Sequence, residues 1–501
     1  MSLTKVSYSM IVGAPVNVLD FGASPSASAA TNTAAINAAL ASSTNVNLYF
    51  PPGIYNHTGI SASNLDNLTI TGDGATLFLA NNSNVRALET TNCNYVHISG
   101  ITLNGNQNNQ TITGTRLNGS GIVINSALTV IIQNNTIKNM STGASIVLNS
   151  ADPFAADTTT ESVLIDNNTI RNSGFVGAPF TCDAIYCQYD NARITNNKIF
   201  NSTDFGVALE YSKRSVVSNN LVYNAEVGLG GVGVDSCVFS DNTLTDCLFR
   251  GIFFSTGGQA VTSPWISYRT VVSNNVVNGV GGSLLPGNTH GIQVDYGNVH
   301  TDFVIIGNYI KGGNYGLTIS TNGCIASNNQ IKNSVSRGVL TDSNSYVNLF
   351  NNIVDTVTLP NYEIVKIGQV VDTDKTNNQI RFFTGTSSGA GVIYRACYIK
   401  TDNTTGNRTC VVNVTATSDV PSIGPSASFR QMSIKCVAGT LTITNMLPYS
   451  GDTTNIQILI AQNGTSRAEV LVGNSTTATT CSVIVDLISM DATQPFYIAE
   501  V

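Results

Sequence analysis

Hydrophobic positions along this chain alternate in short runs and do not recur every three or four residues. Compare "FGVALEYSKRSVVSNN" (205–220) with "YGLTISTNGCIASNN" (315–329). Each reads as an aliphatic strand, a turn, a second alternating strand and a polar doublet, a pattern of short strands with no helical period. The exception is "TNTAAINAALASS" (31–43), where Ala, Ile and Leu share one stripe and predict a helix. After about residue 361 the alternating runs lengthen, as in "GVIYRACYI", "TCVVNVTA", "FRQMSIKCV" and "CSVIVDLI". Gly, Asn and Asp turns separate them, which predicts an antiparallel β-sandwich.

The polar doublets recur. They begin at Asn134, Asn167, Asn196, Asn219, Asp241, Asn274, Gly307, Asn328 and Asn351, in steps of 33, 29, 23, 22, 33, 33, 21 and 23 residues. A basic step near 22 with three short strands per repeat predicts a right-handed parallel β-helix. One coil cannot bury its own inner face, but coils stacked about 4.8 Å apart bury a continuous aliphatic column. Asn tolerates the left-handed backbone of a tight corner. Repeated at one corner, its amide can hydrogen-bond in a ladder along the axis. The doublets are thus expected to be architecture, not chemistry.

Composition narrows the function classes. Charged residues are 11% of the 501, and the net charge is −7 with no basic stripe. That argues against a nucleic-acid partner. No apolar run reaches the length of a membrane span, and the opening residues lack the apolar core of a signal peptide. Ten Cys without dense spacing predict reduced thiols filling a core. No zinc-type spacing or nucleotide loop stands out, so neither a cofactor nor a metal is expected.

"VLDFGA" (18–23), "NTAAINAAL" (32–40) and "LYFPPGIY" (48–55) resemble the opening of the pectate-lyase superfamily. Within it, "LTKVSYSMIVGAPVNVLDFGA" is similar to the linker into a bacteriophage tailspike depolymerase. The resemblance covers about the first 75 residues by motif and continues to about 355 by repeat pattern. It implies a homotrimer in the virion tail, made in the host cytoplasm and joined to tail or baseplate proteins through its N-terminus. The implied partner is a bacterial surface polysaccharide. The domain reading is a linker or head over 1–25, the β-helix over 26–360 with the 31–43 helix capping its end, and the sandwich over 361–501. That last domain would cap the solenoid, hold subunits together, or bind carbohydrate.

Inserts interrupt the repeat at 150–161, 173–181, 256–269 and 281–290. Loops between stacked strands can only project outward, so these are expected to wall a groove whose floor is the plain coils of 190–250. Aligning the "G-I" strands puts Asn125, Asn149, Gln188, Glu210, Val232, Ser255, Asp295, Ser320 and Asp342 in one outward column. Glu210 is the strand-borne carboxylate on the floor. Extended-strand geometry sets it roughly 8 Å from Asp190 and roughly 11 Å from Asp235 at the Cα level. Two carboxylates so spaced suit an inverting glycosidase. Asp183, Asp204 and Glu226 form a second column, readable as a retaining pair, a Ca²⁺ site or a solvated corner.

Tyr186, Tyr189, Tyr211, Trp265 and Tyr268 offer rings for sugar faces, or simply pack the loops. Lys213, Arg214 and Arg250 could meet acidic sugars or pair with the carboxylates, and His290, near Asp295, could act as a base. The leading expectation is glycoside hydrolysis by Glu210 with Asp190, Asp235, Asp204 or Asp183. A lyase acting by β-elimination on a uronic-acid glycan and a non-catalytic adhesin are the alternatives.

Overall fold

The computed structural model describes residues 14–111, 118–150, 162–175, 181–256, 266–281, 289–294, 300–321, 323–335, 337–341, 347–350 and 352–355, and beyond these the strands of 377–499. The chain divides into two compact units, Met1–Val304 and Ile305–Val501. The protein is all-β, and its solenoid is a parallel β-helix.

In the first unit each coil gives one strand to each of three faces. Thr129–Gln133, Ser162–Asp166, Ala192–Thr195, Val216–Ser218, Val238–Ser240 and Val271–Ser273 stack in register on the first face. Thr136–Met140 and Thr169–Ser173 belong to the second face. Ile122–Asn125, Ile146–Asn149, Ile185–Cys187, Arg250–Ser255 and His290–Val294 belong to the third. Lys198–Glu210 and Leu221–Val232 run through the corner between the second and third faces as single strands, with a register shift between Ser202 and Phe205.

The inner column of the third face reads Ile122, Ile146, Ile185, Val207, Leu229, Ile252 and Ile292, all without solvent exposure. Each side chain so buried contributes roughly 1.5–3 kcal/mol. The glycines before this column have a steric cause. A Cβ on Gly206 would stand 2.6 Å from both the Gly228 carbonyl oxygen and Val222 Cγ1, inside the solenoid.

The doublets divide their labour. The first residue of each takes the left-handed bend, with φ of 58° at Asn134, 52° at Asn167, 57° at Asn196 and 57° at Asn219. The second is buried and makes the ladder. Asn197 Nδ2 donates to Asn220 Oδ1 at 3.0 Å and to the Ile165 carbonyl at 2.9 Å, while its backbone N–H donates to the same Asn220 oxygen. The same bonds recur from Asn135 through Asn275. A second ladder, of Asn139, Asn172, Asn201 and Asn224, runs along the next corner at left-handed φ, with links of 2.9 Å.

The helix spans Ala29–Leu40, two residues earlier at its start and three earlier at its end than the 31–43 expected. Ser28 sets the start by accepting from the Thr31 N–H. Thr33 and Asn37 dock the helix on the first coils by accepting from the backbone N–H groups of Thr58 and Ser61. Val16–Asn17 pairs with Leu48–Tyr49, so this stretch of the 1–25 segment folds onto the first coil. Cys187, Cys237, Cys247 and Cys324 are buried thiols, and burial pushes the first three up to about 12.

In the second unit Asn308, Asn329 and Asn352 form a ladder of the same kind, and the last described coil strand is Ile353–Asp355. The expected boundary at 360–361 lies outside the described residues. Beyond it stand two antiparallel sheets. One orders its strands Asn377–Phe383, Cys481–Ser489, Arg408–Val420, Gly424–Val437 and Thr440–Asn445, and the other Gln457–Gln462, Arg467–Gly473, Ile393–Lys400 and Tyr497–Ala499.

Candidate functional site

The chemistry gathers on the outer surface of the third face. Inward-pointing Gly206, Val207 and Leu209 fix the alternation, so Phe205, Ala208 and Glu210 point outward. Glu210 pairs in register with Val232, and Val232 with Ser255. Asn125 likewise pairs with Asn149.

Around Glu210 the structure brings together Tyr186 and Gln188. The Tyr186 hydroxyl donates to Glu210 Oε2 at 2.5 Å and accepts from Gln188 Nε2 at 2.7 Å. Burial first, then the charge of Glu210, holds the Tyr186 hydroxyl far above the ordinary phenol value. It stays a donor at any working pH. Asp183 also acts on Tyr186. This carboxylate is buried and accepts from the Phe205 N–H at 3.2 Å. Tyr211 follows Glu210 at a left-handed φ of 56° and is pushed up to about 12 by burial and by Glu210.

A second group lies at the start of the same strands. Phe205 and Val227 are register partners, and the register shift just before them sets Thr203 and Asp204 together against Glu226 on the next coil. Thr181 Oγ1 donates to Asp204 Oδ2 at 2.7 Å. Burial and then the Asp204 charge raise the Glu226 carboxyl, and Arg250 opposes them. Arg250 is the register partner of both Val227 and His290. Its guanidinium lies 3.8 Å from the centre of the Phe249 ring and 3.9 Å from that of Phe253, and its Nε donates to Gln293 Oε1. His290 is buried, and burial with the Arg250 charge pushes it down to about 4. Its imidazole is neutral at pH 7.

Asp190, Lys213, Asp235 and Tyr268 form a further column of cross-coil contacts, which on the coil of Glu210 follows the left-handed Tyr211. Asp190 accepts from the Lys213 N–H at 2.8 Å and lies 3.4 Å from Arg214 Nη2. Asp235 meets Arg269 through both carboxylate oxygens. Tyr189 is buried, its hydroxyl accepting from the Ala127 N–H at 2.7 Å. Trp265, Asp295 and most of the four wall inserts lie outside the described residues.

The residues that the sequence did not single out are Phe205, Phe249, Phe253 and Gln293. Their signal was column position. Phe253 and Gln293 are in register with each other, in the column that contains Tyr186, Ala208 and Gly230. Among the described residues no group of three or more His, Cys, Asp or Glu could hold a metal ion. None of the described helices is long and apolar enough to cross a membrane.

Residues 120–284 match a family model described as a right-handed β-helix region. Among solved structures, the chain is similar to the tailspike protein of an Acinetobacter phage, with 10% identity, a TM-score of 0.44, and coverage of 97% of this chain and 88% of that one. It is also similar to an exopolygalacturonase of Thermotoga maritima, with 14% identity, a TM-score of 0.48, and coverage of 68% and 92%. A third is the A-module of a mannuronan C-5 epimerase of Azotobacter vinelandii, with 14% identity, a TM-score of 0.45, and coverage of 68% and 96%. No curated protein matches the sequence.

Proposed function

We propose that this protein is a polysaccharide depolymerase that hydrolyses a glycosidic bond on the third face. Glu226 is the acid and Asp204 its carboxylate partner. The observation that carries this reading is that the Asp204 charge acts on Glu226 from the neighbouring coil while the two carboxyl groups have different surroundings. Glu226 is held up by burial and by Asp204, and Asp204 is bonded by the Thr181 hydroxyl. Two carboxyl groups whose environments separate their protonation are a general acid and a base or nucleophile. The coil step is about 4.8 Å, close to the roughly 5–5.5 Å carboxyl spacing of a retaining pair. In that scheme Glu226 protonates the leaving oxygen while Asp204 attacks the anomeric carbon. Glu226 then takes a proton from the water that releases the sugar. Glu210, held by Tyr186, binds hydroxyls of a neighbouring sugar unit or replaces this pair as the acid.

The sequence opening supports a bacteriophage tailspike acting on a bacterial surface polysaccharide, assembled as a homotrimer. The experiment is product analysis on candidate capsules with Glu226→Gln, Asp204→Asn and Glu210→Gln. New reducing ends at saturated sugars are expected from the wild type. Glu226→Gln should lower turnover by about 10²–10⁴-fold and abolish the alkaline limb of the pH profile, because that limb is the loss of the Glu226 proton. If Glu210→Gln alone causes this loss, the acid is Glu210.

Neutral His290 beside Arg250 favours a second reading, β-elimination, with His290 taking the C5 proton and Arg250 facing a uronate. Unsaturated, ultraviolet-absorbing ends would identify it. Binding without new ends of either kind would make the protein an adhesin.

A further inference from the structure

Phe205 lies one residue after Asp204 on one coil and opposite Val227, the neighbour of Glu226, on the next. Its ring is half-buried and its position is set from three sides. Its N–H donates to the buried Asp183 carboxylate. Its ring lies over Gly230, where a Cβ would come within 2.9 Å of Phe205 Cε1 and 1.9 Å of the Phe253 carbonyl oxygen. It is nearly parallel to the Phe253 ring, with centroids 6.5 Å apart and planes 16° apart. Phe253 is braced by the Arg250 guanidinium, which Gln293 holds. An aromatic ring kept partly open on an outer face, with a glycine beneath it and a clamped ring beside it, is more ordered than an exposed Phe needs to be.

The surroundings say what the ring would meet. Between the two carboxylate groups the floor is small and uncharged, formed by Ala208, Gly230 and Val232. Hydrogen-bonding groups flank it: Tyr186, Gln188 and Glu210 on one side, Asp204, Glu226 and Arg250 on the other. A ligand suited to this strip has an apolar face and polar groups around its rim. A hexopyranose is such a ligand: its axial C–H bonds line one face and its equatorial hydroxyls point sideways, and aromatic rings serve ligands that are apolar on one side and wet on the other.

We infer that Phe205 is a stacking residue for a hexopyranose unit beside Glu226, with Phe253 as its buttress and Gly230 as the residue that leaves it room. This rests on the carbohydrate reading above but not on its catalytic assignment. The test is saturation-transfer NMR on the full chain with methyl β-D-galactopyranoside and methyl β-D-glucopyranoside, with glycerol as control. Saturation should enter the ring C–H protons of one face of at least one glycoside. Phe205→Leu, which keeps an apolar side chain, should weaken that binding about tenfold. Phe205→Trp should retain it and report it as a shift in emission on adding sugar that the wild type, whose one indole is Trp265, does not show. Saturation no stronger than that of glycerol, or wild-type binding by Phe205→Leu, overturns the inference. If Phe205→Leu fails to fold, the fluorescence of Phe205→Trp decides alone. A protein that binds through Phe205 but cleaves nothing keeps this inference and sinks the hydrolase. One that cleaves with Phe205→Leu as well as wild type does the reverse.

Discussion

Two adjacent asparagines do unlike work here, and the difference can be measured. Asn219 is exposed at φ 57° and Asn220 is buried at 1% exposure. Asn220 donates to Asn242 Oδ1 and the Ile194 carbonyl, and accepts from the Asn197 N–H and amide. Asn220→Ala strands several of these buried groups and should cost about 3 kcal/mol. Asn219→Gly should be nearly neutral, because glycine takes the left-handed bend freely, whereas Asn219→Ala should cost about 1 kcal/mol. Urea titrations of the three variants check the ranking, and equal losses at 219 and 220 would refute it. The doublet was legible because the left-handed bend favours Asn, Asp or Gly and the amide ladder needs Asn, coil after coil. The second ladder, Asn139 to Asn224, was equally present, as in the last letter of "NNTIRN" (167–172). It was missed because its residues stand alone and not as pairs.

At the scale of the coil, the repeat told which residues share a column but not where the column bends. Strand arithmetic aligned Glu210 with Val232 and Ser255, as the register has it. It gave no sign of the bend at Tyr211, directly after Glu210, because a tyrosine at left-handed φ leaves no signal in the sequence. The capped end makes a second prediction. His57 closes the strand Gly53–His57 next to the helix contacts at Thr58 and Ser61. It has no solvent exposure, and its Nδ1 accepts from the Gly59 N–H. Burial pushes it down to about 4. An unfolded imidazole takes its proton near pH 6.5 and this one only near 4, so the unfolded state binds the extra proton between those values. Stability is therefore full above about pH 6.5 and falls as the pH drops toward 4, by roughly 3 kcal/mol for this group. His290 and His300 add to the same slope. Melting temperatures from pH 7.5 to 4.5 should fall, and His57→Leu should flatten the curve. A flat wild-type curve would contradict the burial argument.

For the whole molecule, the solenoid was legible and the substrate was not, because a stacked coil is a property of period and a sugar is recognised by a few outward groups on it. The assembly prediction carries the argument furthest. Charged residues are only 11% of the chain, so copies meeting side by side desolvate few charges, and the sequence opening is similar to that of trimeric spikes. One chain is 52.7 kDa; three make 3 × 52.7, about 158 kDa. Light scattering at micromolar concentration should give that mass, and a stable monomer there sinks the trimer. A trimer has a further consequence. Three identical grooves can hold one long polysaccharide at several points, whereas a short oligosaccharide occupies one groove. Linked sites raise apparent affinity by about 10²–10⁴-fold without any new contact, provided the ligand spans them. The cleavage-deficient Glu226→Gln protein should therefore retain intact capsule far more tightly than the oligosaccharides released from it. Equal retention of long and short chains by a proven trimer would mean that its grooves cannot be bridged by one polymer.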